Sequence, residues 1–169
     1  TLKILTICGS LRRDSSNALI LSEAERVLHG MGHTFIRFDL ARLPYFDADR
    51  QYDDTPSPVL EMRQTAGDSD LILISTPEYA HGIPGILKNG LEWLFCELTN
   101  KKRVVLVIGA AQGQWVKAHL LDVLPTMDFV LQEQDIFMVQ GLRAKIQASG
   151  ITDPDLQHKF AEFLQQAVR

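Results

Sequence analysis

Leu2-Lys3-Ile4-Leu5-Thr6-Ile7-Cys8-Gly9-Ser10-Leu11-Arg12-Arg13-Asp14-Ser15-Ser16-Asn17 carries an apolar run into a polar, glycine-led loop and then into a helical pattern. Leu2 to Cys8 has the length and apolar content of a buried strand. Past the loop, Ile20, Ala24, Val27, Leu28 and Met31 recur on one helical face, and Gly30 with Gly32 close the helix. Strand, loop, helix is the opening unit of an alternating α/β chain.

The alternation continues. Thr34 to Asp39 predicts a second strand, followed by a loop rich in Pro, Asp and Tyr from Pro44 to Pro58 that suits a lid or a partner surface. A short helix over Val59 to Ala66 leads to a third strand, Leu71 to Ser75, apolar enough to be covered on both faces. Pro84 opens a helix on which Leu87, Gly90, Leu91 and Leu94 repeat, with Trp93 and Phe95 widening the apolar side. Val104 to Ile108 is a fourth strand and Trp115 to Leu124 a fourth helix, and the fifth strand falls between Phe129 and Val139. Asp153 caps a last helix with Pro154 at its first position and Leu156, Phe160, Phe163, Leu164 and Ala167 as its buried stripe.

Five strands alternating with five helices imply one α/β domain over residues 1–169, a parallel sheet covered on both faces, because each right-handed crossover lays a helix on the sheet. The simplest doubly wound order is 2-1-3-4-5, with its topological switch between strands 1 and 3. Ligand is expected there, among the loops Gly9–Asn17, Thr76–Ile83 and Gly109–Trp115.

Composition narrows the function classes. The 169 residues are 46% hydrophobic and 22% charged, as in ordinary globular proteins, and the net charge of -4 argues against a nucleic-acid partner, which would demand a basic face. No apolar run approaches the ~20 residues of a spanning helix, and the start reads as a strand rather than a signal peptide, so no membrane association is expected. Cys8 and Cys96 have neither CxxC nor zinc spacing and lie in apolar surroundings, which suits buried, reduced thiols and the cytoplasm.

The first loop is built for an anion. Backbone N–H groups at a helix start carry partial positive charge and lack partners, so a phosphate there gains several hydrogen bonds. Arg12 adds a planar fork that matches phosphate oxygens, and Ser10, Ser15, Ser16 and Asn17 add polar groups. The plain alternative is that Ser15, Ser16 and Asn17 only cap the helix. Neither GxGxxG nor GxxxxGK[ST] is present, which leaves a small monophosphate as the implied ligand.

Gly9-Ser10-x-Arg12-x-x-Ser15-x-Asn17 resembles the FMN phosphate loop of the NADPH-dependent FMN reductase family. Thr76-Pro77-Glu78-Tyr79-Ala80-His81-Gly82-Ile83-Pro84-Gly85-Ile86-Leu87-Lys88-Asn89-Gly90-Leu91-Glu92-Trp93 is similar to that family's PEYNxSxPxxLKNAxDW segment, matching at Pro77, Glu78, Tyr79, Pro84, Leu87, Lys88, Asn89 and Trp93. The two motifs stand about sixty residues apart on the expected switch-point loops.

The resemblance implies a flavodoxin-like, three-layer α/β/α fold, bound FMN, and NADPH or NADH as reductant. It implies ping-pong passage of electrons through the flavin to a small acceptor: a free flavin, quinone, azo dye, chromate or ferric chelate. No catalytic side chain is required, since the flavin carries the hydride. Pro77, Glu78 and Tyr79, with Ala80 and His81 beside them, fall where the family contacts the ring; Gly109, Ala110, Gln112 and Gly113 fall along its other edge. The family commonly pairs through the helix after Pro84, so a homodimer or homotetramer is expected, with Trp93 and Phe95 at the contact. Two departures stand out: Ala80 replaces the family's Asn, and Gly109-Ala110-Ala111-Gln112-Gly113-Gln114-Trp115 replaces its more glycine-rich loop.

Alternative readings are an FMN-binding electron carrier, a non-catalytic flavin-binding module, and a hydrolase resembling the low-molecular-weight tyrosine phosphatases, suggested by Cys8, Arg13 and Asp153-Pro154. The phosphatase loop needs one residue more than the four that separate Cys8 from Arg13. Asp153-Pro154 also has the form of a helix N-cap.

Overall fold

The computed structural model describes residues 1–169. Five parallel strands, β1 (Lys3–Cys8), β2 (Thr34–Phe38), β3 (Leu71–Thr76), β4 (Arg103–Ala110) and β5 (Ile136–Gln140), form one sheet in the order β2-β1-β3-β4-β5. The helices between and after them are α1 (Ser16–Gly30), α2 (Ser57–Asp68), α3 (Gly85–Leu94), α4 (Gln114–Thr126) and α5 (Pro154–Ala167). The order and the flavodoxin-like α/β/α layering are those expected from the sequence.

Side chains alternate across each strand, so the sheet divides the core in two. Leu5, Ile7, Ile72, Ile74, Leu106 and Ile108 face α2, α3 and α4, while Ile4, Leu73, Val105 and Val107 face α1 and α5. Strand β3 is buried at every position and β4 at all but its two end residues; the edge strands β2 and β5 are mostly not. Arg103 reaches from the start of β4 to the buried Asp135 carboxylate and to the Ala167 carbonyl, which fixes the end of α5 beneath the sheet.

The structure differs from the sequence expectations at several places. On α1 the buried stripe runs through Ile20, Leu21, Ala24 and Leu28, and Met31 lies past the helix end, 40% exposed. The fifth strand starts only at Ile136, because Glu133–Asp135 form a 3-10 turn; from the earlier stretch only Val130 pairs, bridging to the foot of β4 at Arg103. A short hairpin of β6 (Ile146–Gln147) and β7 (Gly150–Ile151), unanticipated from the sequence, buries Ile146 and Ile151 against the α1 and α5 side.

The loop from Pro44 to Pro58 is not a free lid. Asn89 of α3 donates to the Pro44 carbonyl (3.0 Å) and accepts from the Phe46 N–H (2.7 Å), and the Trp93 indole donates to the same Pro44 carbonyl (2.9 Å). Trp93 is therefore fully buried, with Phe46 packed edge-on to it at 4.9 Å, and is no surface residue available for pairing of chains; Phe95, past the helix, is 45% exposed. Arg63, buried in α2, reaches the carbonyls of Trp93 (2.7 Å) and Gln51 (2.8 Å) and ties the loop to both helices. Removing the carboxamide by Asn89→Ala strands one N–H and weakens one carbonyl contact, so we expect a loss of about 2 kcal/mol in urea unfolding and faster trypsin cleavage after Arg50. Unchanged stability and cleavage would mean that Trp93 and Arg63 hold the loop alone.

Candidate functional site

At the carboxyl edge of the sheet, over β3 and β4, lies a cleft of about 300 Å³. Four segments wall it: Ser10, Arg12 and Ser15–Asn17 after β1, Pro77–Tyr79 after β3, Gly109–Ala111 at the end of β4, and Gly141–Arg143 after β5. A larger hollow of about 520 Å³ between β2 and α2 lies at the amino edge, around Lys3, Thr34 and Asp68, away from these loops.

The first wall is a helix start with its donors free. Ser15 is the N-cap: its hydroxyl accepts from the Ala18 N–H (3.2 Å) and its carbonyl from the Leu19 N–H. The N–H groups of Ser16 and Asn17, the first two of α1, have no partner within the chain. Neither Arg12 nor Arg143 takes part in any of the chain's ion pairs. A chain with a net charge of -4 thus presents two uncompensated guanidinium groups and an open helix N-terminus in one cleft, which favours an anion.

Asn17 acts through its side chain as a clamp. Its Nδ2 donates to the Gly109 carbonyl (2.9 Å), and its Oδ1 accepts from the Gly109 N–H (3.2 Å) and the Ser75 hydroxyl (3.0 Å), all buried. Only glycine allows that approach at position 109, where a Cβ would lie 2.9 Å from Asn17 Oδ1 and 2.2 Å from Leu142 Cδ2. The start of α1 is thereby fixed to the ends of β3 and β4.

Glu78 is the one carboxylate in the cleft wall, and it is already occupied. Its Oε2 accepts from the N–H groups of Trp115 and Val116, both at 2.9 Å, and so caps α4, whose own N-cap residue Gly113 (φ +97°) has no side chain to do so. This anion at a helix N-terminus joins the loop after β3 to the loop after β4. Tyr79 turns its hydroxyl to within 3.2 Å of the Ser10 hydroxyl and is about half exposed.

Four of the sequence-derived site residues do not line the cleft. Ala80 and His81 form a tight turn between Tyr79 and Gly82, which exchange two backbone hydrogen bonds, and His81 stacks on Trp115 at 5.0 Å. The Gln112 carbonyl accepts from the Gln140 side chain, and Gly113 is buried against Met138 and Ile108. Conversely, Ala111, Gly141, Leu142 and Arg143 join the wall without having been singled out. Adjacency of β5 to β4 was the available signal for the last three, but the expected site was confined to the loops after strands 1, 3 and 4.

Cys8 does not line this cleft but a neighbouring hollow with Arg37 and Asp39. Burial pushes its thiol above the ordinary range and outweighs the opposing pull of its polar surroundings, so it is protonated at neutral pH and donates to the Ser10 carbonyl (3.5 Å), the opposite of an activated phosphatase thiolate. Asp153 is the N-cap of α5, accepting from the Asp155 N–H.

A five-stranded parallel sheet of order β2-β1-β3-β4-β5 with an open cleft at its carboxyl edge defines the class of flavodoxin-like, doubly wound α/β proteins. Within that class the chain belongs to the NADPH-dependent FMN reductase family, which residues 2–142 match, and it is an oxidoreductase. It is 33% identical over 157 residues to a 2-hydroxy-1,4-benzoquinone reductase of Burkholderia sp, covering 88% of this chain and 84% of that one. It is 28% identical to a quinone reductase of Escherichia coli (strain K12), covering 98% and 96%. In fold it is similar to FerB, a flavoenzyme NAD(P)H:(acceptor) oxidoreductase from Paracoccus denitrificans, with a TM-score of 0.89 at 22% identity over 99% of this chain and 96% of that one. No helix is long and apolar enough to cross a membrane.

The turn after Tyr79 stores strain. Ala80 (φ +49°) and His81 (φ +56°) are both left-handed, a conformation that L-residues other than Asn, Asp and Gly adopt at a cost. Ala80→Asn places there a residue suited to it, and we expect a gain of about 0.5–1 kcal/mol in thermal unfolding. An unchanged or lower midpoint would show that the turn carries no such strain.

Proposed function

We propose that this chain binds FMN in the cleft and, as an NAD(P)H-dependent reductase, passes electrons from NADPH or NADH to a small acceptor, a quinone being the class that the similar reductases of Burkholderia and Escherichia coli suggest. The observation that carries the reading is the convergence of two unpartnered helix amides and two unpaired arginines between loops tied together by Asn17 and Glu78. When bound, FMN supplies the redox chemistry, accepting hydride from a nicotinamide and returning the electrons to the acceptor.

The chain's own part is binding and positioning. The Ser16 and Asn17 amides and Arg12 are placed for the phosphate, and Pro77–Tyr79 with Gly109–Ala111 are placed to flank the ring. The lining holds no histidine or lysine, its one carboxylate caps α4, and the Tyr79 hydroxyl meets that of Ser10. Ala80, His81, Gln112 and Gly113 support these walls from behind. One cleft serving donor and acceptor in turn gives ping-pong turnover. Assembly as a homodimer or homotetramer belongs to the same proposal, supported by the exposed Phe95 and Leu98 beyond α3.

The visible spectrum of the FMN-reconstituted protein tests the reading. We expect anaerobic NADPH or NADH to bleach the flavin absorbance, and a quinone added afterwards to restore it in a separate half-reaction. A protein that holds FMN but is bleached by neither nicotinamide would be a carrier or a binding module, and one that retains no flavin would remove the site.

A further inference from the structure

Arg143 stands one residue past the segment that matches the family and lies outside both sequence motifs. Its place in the fold is set by its neighbours. The Gly141 N–H donates to the Ala110 carbonyl (2.8 Å), holding the chain after β5 against the end of β4, and a 3-10 turn over Leu142–Ala144 follows. Leu142 is buried, its side chain filling the space that a Cβ on Gly109 would need. Beyond it, the β6–β7 hairpin brings Gly150 against Glu23 of α1. Turn and hairpin thus rest on the α1 side of the sheet, where Asn17 fixes the helix start, and Arg143 projects from them into the cleft wall with no acidic partner.

On the reading of this cleft as an FMN site, we propose that Arg143 is a second phosphate ligand, sharing the 5′-phosphate with Arg12 and the α1 amides. A phosphate monoester carries about -1.5 to -2 charges at neutral pH. A helix N-terminus offers roughly +0.5, so that terminus and one guanidinium supply about +1.5, which falls short of the dianion's charge of about -2 inside a protein that is itself anionic. A second guanidinium completes the match, and its fork can bind phosphate oxygens that Arg12 leaves free. The arginine arrives from a different strand, so phosphate binding also joins the turn after β5 to the start of α1.

The test is titration of the apoprotein with FMN and with riboflavin, followed by flavin fluorescence, for wild type, Arg143→Gln and Arg13→Gln. Arg13 carries the same charge from outside the cleft wall, so its variant reports net charge alone. We expect R143Q to weaken FMN by about tenfold to a hundredfold with riboflavin unaffected, and R13Q to change neither. Equal loss of both flavins in R143Q would make Arg143 a support of the fold, and equal loss of FMN in R13Q and R143Q would reduce the effect to bulk electrostatics; either overturns the proposal. So would unaltered FMN affinity in R143Q, including the case where its KM rises for NADPH but not NADH, which would assign the guanidinium to the nicotinamide's own phosphate. Failure of the wild type to prefer FMN over riboflavin would remove the underlying FMN reading as well, and is thereby told apart from failure of Arg143 alone.

Discussion

The cleft depends on one side chain, the carboxamide of Asn17. A parallel sheet fixes its strands but leaves the loops at their carboxyl ends to find their own positions, and a cleft walled by four segments needs them registered. Asn17 does this with the donor and acceptor of one amide, pairing with both backbone groups of Gly109 as a neighbouring strand would and taking the Ser75 hydroxyl besides. Aspartate lacks the N–H and alanine lacks both groups, so either leaves buried backbone polar atoms without partners, a cost of about 1–3 kcal/mol for each. The clamp also sets the direction in which α1 aims its free amides.

Glu78 supplies the second tether. Its carboxylate replaces the cap that Gly113 cannot provide, so the loop after β3 and the helix after β4 are joined. The later motif residues Asn89 and Trp93 hold the Pro44 to Pro58 loop instead of touching the cleft. The motif residues therefore fall into two groups: those whose backbone or side chain faces the cleft, such as Arg12, Pro77 and Tyr79, and those that hold the facing residues still.

The fold was legible in the sequence because its signals are strong and local. Runs such as Leu71–Ile74 and Val104–Ile108 are apolar at every position, as strands buried on both faces tend to be, and the glycines and prolines between them mark the crossovers. Most of the cleft was legible too, since the topology places a site at the ends of β1, β3 and β4. What was hidden depends on tertiary contact. Nothing local says that Asn17 spends its side chain on Gly109, that Glu78 caps a distant helix, or that Trp93 points inward to Pro44. Arg143 was missed because the site was expected in the loops after strands 1, 3 and 4 alone, and nothing local says that the chain after β5 hydrogen-bonds back to Ala110.

The most direct test of this account is Asn17→Ala, followed by FMN affinity, urea unfolding and hydrogen exchange of the Gly109 amide on the same protein. If the carboxamide registers the loops, exchange at Gly109 accelerates, stability falls by about 2–3 kcal/mol and FMN binding weakens with it, although the Asn17 side chain gives its hydrogen bonds to Gly109 and Ser75. A protein destabilised to that extent but binding FMN as tightly as the wild type would contradict the account, since the loops would then be held by something other than Asn17.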